Sequence, residues 1–260
     1  GTDEDTIIDV ICTHCNYERQ EIKKMYKTMY GQDLVDDLKG DLSGTKEHIL
    51  VEILCTRSNY QIEMIREEHR KFFRKDIDDD IRGDTSGDFQ LLLIGLLQGN
   101  RSEEGEINKE LVQKDAKDIY EAGTKRFGTD EATFNKILIL RSRTHLHAVF
   151  EAYAKLDKKG IIGAITSETS GSYRSALLAI VNCINDPLDY FATSFHDCIK
   201  GIGTKDKVLM QLVVSHSELD LKDIGEKYLK KYGKGLSTVI SNDTSGDYRK
   251  LLVRLTNIPA

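Results

Sequence analysis

A chain of 260 residues is long enough for one large domain or two ordinary ones, and its 37 basic and 43 acidic side chains are well mixed to a formal charge of −6. With no basic tail or face to hold a phosphate backbone by counterion release, nucleic acid is not an expected partner. No apolar run approaches the roughly 20 residues that span a bilayer, and GTDEDTI at the start is neither a basic nor an apolar leader, so a soluble, intracellular protein is expected.

Only Pro187 and Pro259 interrupt the sequence, which suits a mostly helical chain. The first helix is predicted in TDEDTIIDVI, with Thr2 as N-cap and Asp3 in the first turn, where the helix dipole favours negative charge. Cys12-Thr-His-Cys15 at its end has CxxC spacing, but no second CxxC or His pair accompanies it, so zinc or redox chemistry is not expected. All five cysteines (12, 15, 55, 183 and 198) read as reduced thiols. After GDLSGT at Gly40, TKEHILVEIL is the next helix, and YQIEMIREEHRKFF follows with Ile62, Ile65, His69 and Phe72 or Phe73 on one face. The short piece DIDDDI leads into RGDTSGD from Arg82, after which Ser86 is the expected N-cap of GDFQLLLIGLL.

INKELVQKDAKDIYEAG precedes TDEATFNKIL, and His145 and His147 flank an apolar position beyond it, where they read as surface or capping residues. SETSGSY begins at Ser167. LDYFATSFHDCIKGIG then precedes TKDKVLMQLV, whose Val208, Leu209, Leu212 and Val213 have helical spacing, and LSTVI leads to NDTSGDY from Asn242. No segment shows the alternation of a half-buried strand, so the fold class is all-α, with about five helices in a full unit.

Two landmarks repeat in step. Gly-Thr occurs at Gly1, Gly44, Gly128 and Gly203, with Thr2, Thr45, Thr129 and Thr204 read as N-caps. The intervals are 43, 84 and 75 residues. An acid lies 40 residues downstream of each glycine, at Asp41, Asp84, Glu168 and Asp243. Such self-similarity fixes the architecture before any single residue does. Glycine lets backbone carbonyls turn outward in a tight loop, and a carboxylate adds two oxygens, which together make a hard-cation site. Calcium accepts about six to eight oxygens, so this set leaves places for water or a ligand's phosphate. Turn-making and helix capping alone would tolerate Asn or Ser at the acidic position, yet all four copies carry Asp or Glu. An EF-hand started at Asp78 places Asp80 and Gly83 correctly but puts Arg82 fifth and Phe89 where the bidentate Glu is required, and is rejected.

With its four Gly-Thr loops, IKGIGTKD at 199 to 206 being the fullest, and the motifs GDTSGDF, SETSGSY and NDTSGDY, the chain resembles the annexins, four-repeat calcium-dependent phospholipid-binding proteins. The resemblance covers essentially the whole sequence. It implies four repeats of about five helices forming a curved disc, with calcium loops on the convex face bridging to anionic headgroups. In the fourth repeat it implies the carbonyls of Ile199, Gly201 and Gly203 with the Asp243 carboxylate. In the third, where Arg126 stands in place of Gly201, it implies the carbonyls of Gly123, Arg126 and Gly128 with Glu168. The second and first sites, Gly44 with Asp84 and Gly1 with Asp41, lack part of the upstream loop. Arg126 and Phe127 at a loop tip are expected to touch headgroups and acyl chains.

The expected boundaries are 1–44 for a partial first repeat, 45–105 for a partial second, 106–185 for the third and 186–260 for the fourth. The interval of 43 is about thirty residues short, because one Gly44 ends the first acidic motif and opens the next loop. A shortened family member and a longer protein from which this stretch is missing both fit. The second is favoured, since removing two core helices would expose apolar faces of their neighbours.

Nothing resembles a Ser-His-Asp, P-loop or GxGxxG arrangement, so neither an enzyme nor a small-molecule substrate is expected. Arg82-Gly83-Asp84 spells an adhesion tripeptide, a remote reading for an acid at the calcium position. An acidic chain without a polybasic patch is repelled by an anionic leaflet, so adhesion must be carried by Ca2+. The resulting expectation is a cytoplasmic protein, peripheral on membranes when calcium rises, with export lacking a signal peptide as a second location. A protein partner or self-association is compatible with it. The rival is a helical-repeat scaffold for calcium-independent protein contacts.

Overall fold

The computed structural model describes residues 3–30, 47–103, 105–123, 130–200 and 205–257. Among them sixteen elements occur, all α-helices. In chain order they are α1 (Glu4–Thr13), α2 (Asn16–Tyr30), α3 (Glu47–Thr56), α4 (Asn59–Phe73), α5 (Ile77–Asp84), α6 (Gly87–Leu97), α7 (Lys109–Ala122) and α8 (Glu131–Leu140), followed by α9 (Arg143–Leu156), α10 (Gly160–Glu168), α11 (Gly171–Asn185), α12 (Pro187–Ile199), α13 (Asp206–His216), α14 (Leu221–Tyr232), α15 (Leu236–Asp243) and α16 (Gly246–Thr256).

Local chemistry sets these boundaries. Asp3 and Asp130 are themselves the N-caps of α1 and α8, accepting from the Thr6 and Thr133 N–H groups at 3.1 and 3.3 Å. Both helices therefore start one residue later than a cap at Thr2 or Thr129 requires, and Asp is the stronger capping residue. Thr2, Thr45, Thr129 and Thr204 lie outside the described residues. Ser58 and Gln61 form a capping box at the start of α4. On α4, Ile62 is buried while Phe73 is exposed; the Phe72 side chain is outside the description.

The helices divide into two compact units. The unit of residues 45–187 packs α7 along α9, α3 against α6 and α11, and α6 on α8. Its core is largely aliphatic, with Leu92, Leu93, Leu97, Ile119, Leu138, Leu146, Ile165 and Leu177 wholly buried beside Phe134 and Tyr153. Each such side chain contributes about 1.5 to 3 kcal/mol.

A buried ionic cluster centred on Asp115 sits inside this core. Asp115 on α7, 1% exposed, accepts from Arg141 at 2.6 and 3.1 Å and bonds His145 Nε2 at 2.9 Å. His145 is thus a buried partner of Asp115 rather than a surface group, and Ser142, not His145, caps α9. The sequence pattern hid this because the acid lies 30 residues away on another helix. His147 is exposed, as expected.

The second unit joins residues 1–44 to 188–260. Here α1, α13 and α15 all pack on α16. Ile8 and Cys12 of α1 enter a core with Phe191, Phe195, Leu212, Ile224 and Leu252. Lys250 bonds Asp5 at 2.8 Å, Arg254 pairs with Asp9, and Arg19 with Glu218. Cys12 is buried and Cys15 exposed, and neither is in a disulfide.

Candidate metal centre

Three acidic motifs have one structure. Asp84, Glu168 and Asp243 are each the last residue of a short helix, α5, α10 and α15. The threonine that follows (85, 169, 244) is extended and turns back on the helix it has left. Its N–H donates to the carbonyl of Ile81, Ile165 or Ile240 at 3.0 to 3.1 Å, and its hydroxyl donates to the same oxygen at 2.5 to 2.6 Å. All three isoleucines are buried, so the turn is anchored in the core. Ser86 occupies its expected N-cap position, and Ser170 and Ser245 the equivalent ones, all without a side-chain cap bond.

Gly87, Gly171 and Gly246 come next with φ of +61°, +61° and +60°. A Cβ there would meet nothing within 4 Å, so the left-handed backbone and not crowding demands glycine. One turn on, Gln90 Nε2 donates to the carbonyl of Arg82 at 3.1 Å, while Arg174 donates to Thr169 and Arg249 Nε to Thr244, the latter at 2.6 Å. These residues stand at one offset from the glycine, a signal that the sequence reading left unused.

At two of the Gly-Thr segments, those of Gly128 and Gly203, the described flanks are tied together. The Asp130 N–H donates to the Ala122 carbonyl at 2.8 Å and the Lys205 N–H to the Cys198 carbonyl at 3.0 Å, pinning together the ends of the segments between them. Ile199 is the last residue of α12, and Gly123 the C-cap of α7. Helix C-termini carry carbonyls with no partner in the helix, so both are well placed to offer oxygens.

Tyrosine then ties turn to loop. Tyr173 donates its hydroxyl to Asn135 Oδ1 at 3.0 Å and to the Glu131 carbonyl at 3.4 Å, and Tyr248 donates to the Asp206 carbonyl at 2.9 Å. Each links the helix after the acidic turn to the first residue of the helix after the Gly-Thr loop, 42 residues back in both cases. In these two repeats the helix after the acidic turn is thus tied to the helix that follows the Gly-Thr segment. In the Asp84 motif the same position is Phe89, which has no hydroxyl.

Burial pushes the Tyr173 hydroxyl well up, and the charges that add to this are all carboxylates, Asp88, Glu131 and Asp130. Tyr248 is pushed up to about 12 by burial, with Asp206 adding to it. The neighbourhood is therefore negative. An acid as the last residue of a helix also stands at the dipole's negative end, which favours a cation beside it. Exposed or half-buried carboxylates next to helix C-terminal carbonyls make an all-oxygen donor set, which suits calcium and not zinc. Among the described residues no three His, Cys, Asp or Glu side chains are grouped to hold a metal, so the cation would depend on carbonyls. Residues 77–84, which the rejected EF-hand needed as a loop, are helix, and Arg82-Gly83-Asp84 is its last turn.

Of the residues expected to hold calcium, Ile199, Gly123, Asp84, Glu168 and Asp243 are described. Gly201, Gly203, Arg126, Gly128, Gly44, Gly1 and Asp41 lie outside the described residues, as does Phe127.

The annexin family model matches residues 1–51, 43–96, 114–180 and 190–255. The chain belongs to the annexin family. It is 41% identical to annexin A4 of Sus scrofa, over 98% of this chain and 89% of that one. The alignment runs over 284 positions, more than the 260 residues present here, so the relative carries residues with no counterpart in this annexin. Among solved structures, annexin III superposes with a TM-score of 0.92 at 37% identity, covering 100% of this chain and 90% of that one. A calcium-bound annexin, annexin (Sm)1, superposes with 0.81 at 31% identity, covering 99% and 86%. Four repeats and an all-α fold follow for this annexin. None of its described helices is long and apolar enough to cross a membrane.

Proposed function

We propose that this annexin is a non-catalytic, peripheral membrane protein that binds anionic phospholipid surfaces when calcium is present. Family membership supports calcium-dependent phospholipid binding in general. The observation that carries the reading is the acid-Thr-Ser-Gly turn, built three times with one set of hydrogen bonds and tied by tyrosine to the Gly-Thr loop in two repeats. The proposed ligands are the carbonyls of Ile199, Gly201 and Gly203 with Asp243, and those of Gly123, Arg126 and Gly128 with Glu168. Asp84 with Gly44 and Asp41 with Gly1 are the weaker pairs. Calcium, when bound, supplies a doubly charged centre with coordination positions open to headgroup oxygens.

The role of the chain's own residues is positional. The threonine turn holds the carboxylate at the helix end, and the tyrosine fixes its distance from the loop. A net charge of −6 opposes approach to an anionic leaflet, so the cation must provide the attraction. A cytoplasmic location follows from this reading, as do the repeat boundaries at 44, 105 and 185.

Co-sedimentation with phosphatidylserine vesicles, in calcium and in excess chelator, tests the proposal with Asp243→Ala and Glu168→Ala alongside. Pelleting only in calcium, weakened in both variants, supports it. Equal pelleting in chelator, or none at any calcium level, overturns it in favour of a calcium-independent scaffold.

A further inference from the structure

We propose that a cavity of about 490 Å³, bounded by the α3–α4 turn, the α6–α7 connection and the start of α9, binds a compound bearing phosphomonoester groups. Arg57, Arg101 and Arg143 line it, with Glu103 as the one carboxylate among the described lining residues. All three arginines are half-buried, where water screens their charge less than at an open surface. In a chain of net −6, this hollow gathers cations.

Two of the guanidinium groups are fixed by the backbone. Arg101 donates to the Arg141 carbonyl at 2.7 Å, and Arg143 to the carbonyls of Cys55 and Thr56 at 3.2 and 2.7 Å. Their planes are set before a ligand arrives, and such planar forks match pairs of phosphate oxygens. The Arg57 side chain makes no hydrogen bond or ion pair among the described residues, although it is half-buried on the same wall. A partly desolvated cation of that kind is stabilised by an anion. The first residues of α4 and α9 line the same space, adding the positive ends of two helix dipoles. The volume suits a small molecule.

The cavity is remote from the acidic turn. α6 runs from Gly87 in that turn to Leu97, about 16 Å for its 11 residues, and Arg101 follows four residues on. Asn59 Nδ2 holds the Arg101 carbonyl at 2.8 Å, joining α4 to this end. No residue is shared with the calcium ligands, so this inference stands apart from the proposed membrane function. A free phosphorylated metabolite and a phosphoinositide headgroup present the same chemistry.

Titration calorimetry with inositol hexakisphosphate, in excess chelator at physiological salt, is the test. One-site binding is expected, weakened about tenfold or more by Arg57→Gln and tightened about threefold by Glu103→Gln. The gain in the second variant is one that lost structure cannot produce. Vesicles containing phosphatidylinositol 4,5-bisphosphate in the same buffer distinguish the sources. Pelleting lost with Arg57→Gln assigns a lipid headgroup, and calorimetric binding without pelleting assigns a soluble ligand. The proposal is overturned if the folded protein gives no binding at millimolar inositol hexakisphosphate, or if neither variant changes the affinity.

Discussion

Tyr248, two residues past the glycine of its acidic turn, donates its hydroxyl to the Asp206 carbonyl at 2.9 Å and so fixes the start of α13 against α16. Tyr248→Phe removes only that bond. The expected result is about 1 kcal/mol less stability and about fivefold more calcium for half-maximal vesicle binding. A calcium titration of co-sedimentation reads the second effect, and an unchanged midpoint would reduce the tyrosine to packing.

Alkaline titration examines the same residue. Its folded-state hydroxyl, pushed up to about 12, lies above the ordinary tyrosine value near 10. A group whose folded value is raised contributes stability below the unfolded value and loses it as pH rises through the folded one. Tyr248 therefore stabilises the fold up to about pH 10 and ceases to by about 12. Ultraviolet titration of tyrosinate should show a late component that Tyr248→Phe reduces by one group, the buried Tyr173 and Tyr228 supplying the rest.

Glycines separate turn strain from helix propensity. At Gly171, with φ +61° and open space, alanine should cost about 1 to 2 kcal/mol. Gly225, inside α14 and also in open space, lacks that backbone conformation. There alanine should add about 0.5 to 1 kcal/mol. Urea unfolding of the two variants should give shifts of opposite sign.

Acid will find Asp115. Burial alone would raise its carboxyl, but the hydrogen bonds from Arg141 and His145 outweigh this and hold it below its ordinary value. A depressed folded value contributes stability above the unfolded value near 3.9 and loses it as pH falls through the folded one. Asp115→Asn should cost about 3 to 5 kcal/mol at neutral pH, because Arg141 loses its buried partner. The wild type should lose more stability than the variant below about pH 4, as read by thermal melts across pH.

Much of this was legible in the sequence because the relevant signals are local or periodic. Helical spacing gave the segments, and the constant glycine-to-acid offset pointed to the turns at Asp84, Glu168 and Asp243. Cap positions slipped by one residue where Thr and Asp are adjacent and both can cap. What escaped were contacts between segments far apart. His145 looked peripheral because nothing within a few residues reveals Asp115, and the Arg57, Arg101 and Arg143 cluster exists only once the α3–α4 turn, the α6–α7 connection and the start of α9 meet. Tyr173 and Tyr248 were visible in their motifs, yet only the fold shows what their hydroxyls reach.

The link between Lys250 and Asp5 spans 245 residues of chain. During synthesis, α1 and α2 leave the ribosome long before α16 exists to cover Ile8 and Cys12, whereas the contacts of the unit at 45–187 close within a continuous stretch. That continuous unit can fold as it emerges. The split one must wait, with an apolar helix face open to the solvent, until α16 has been made.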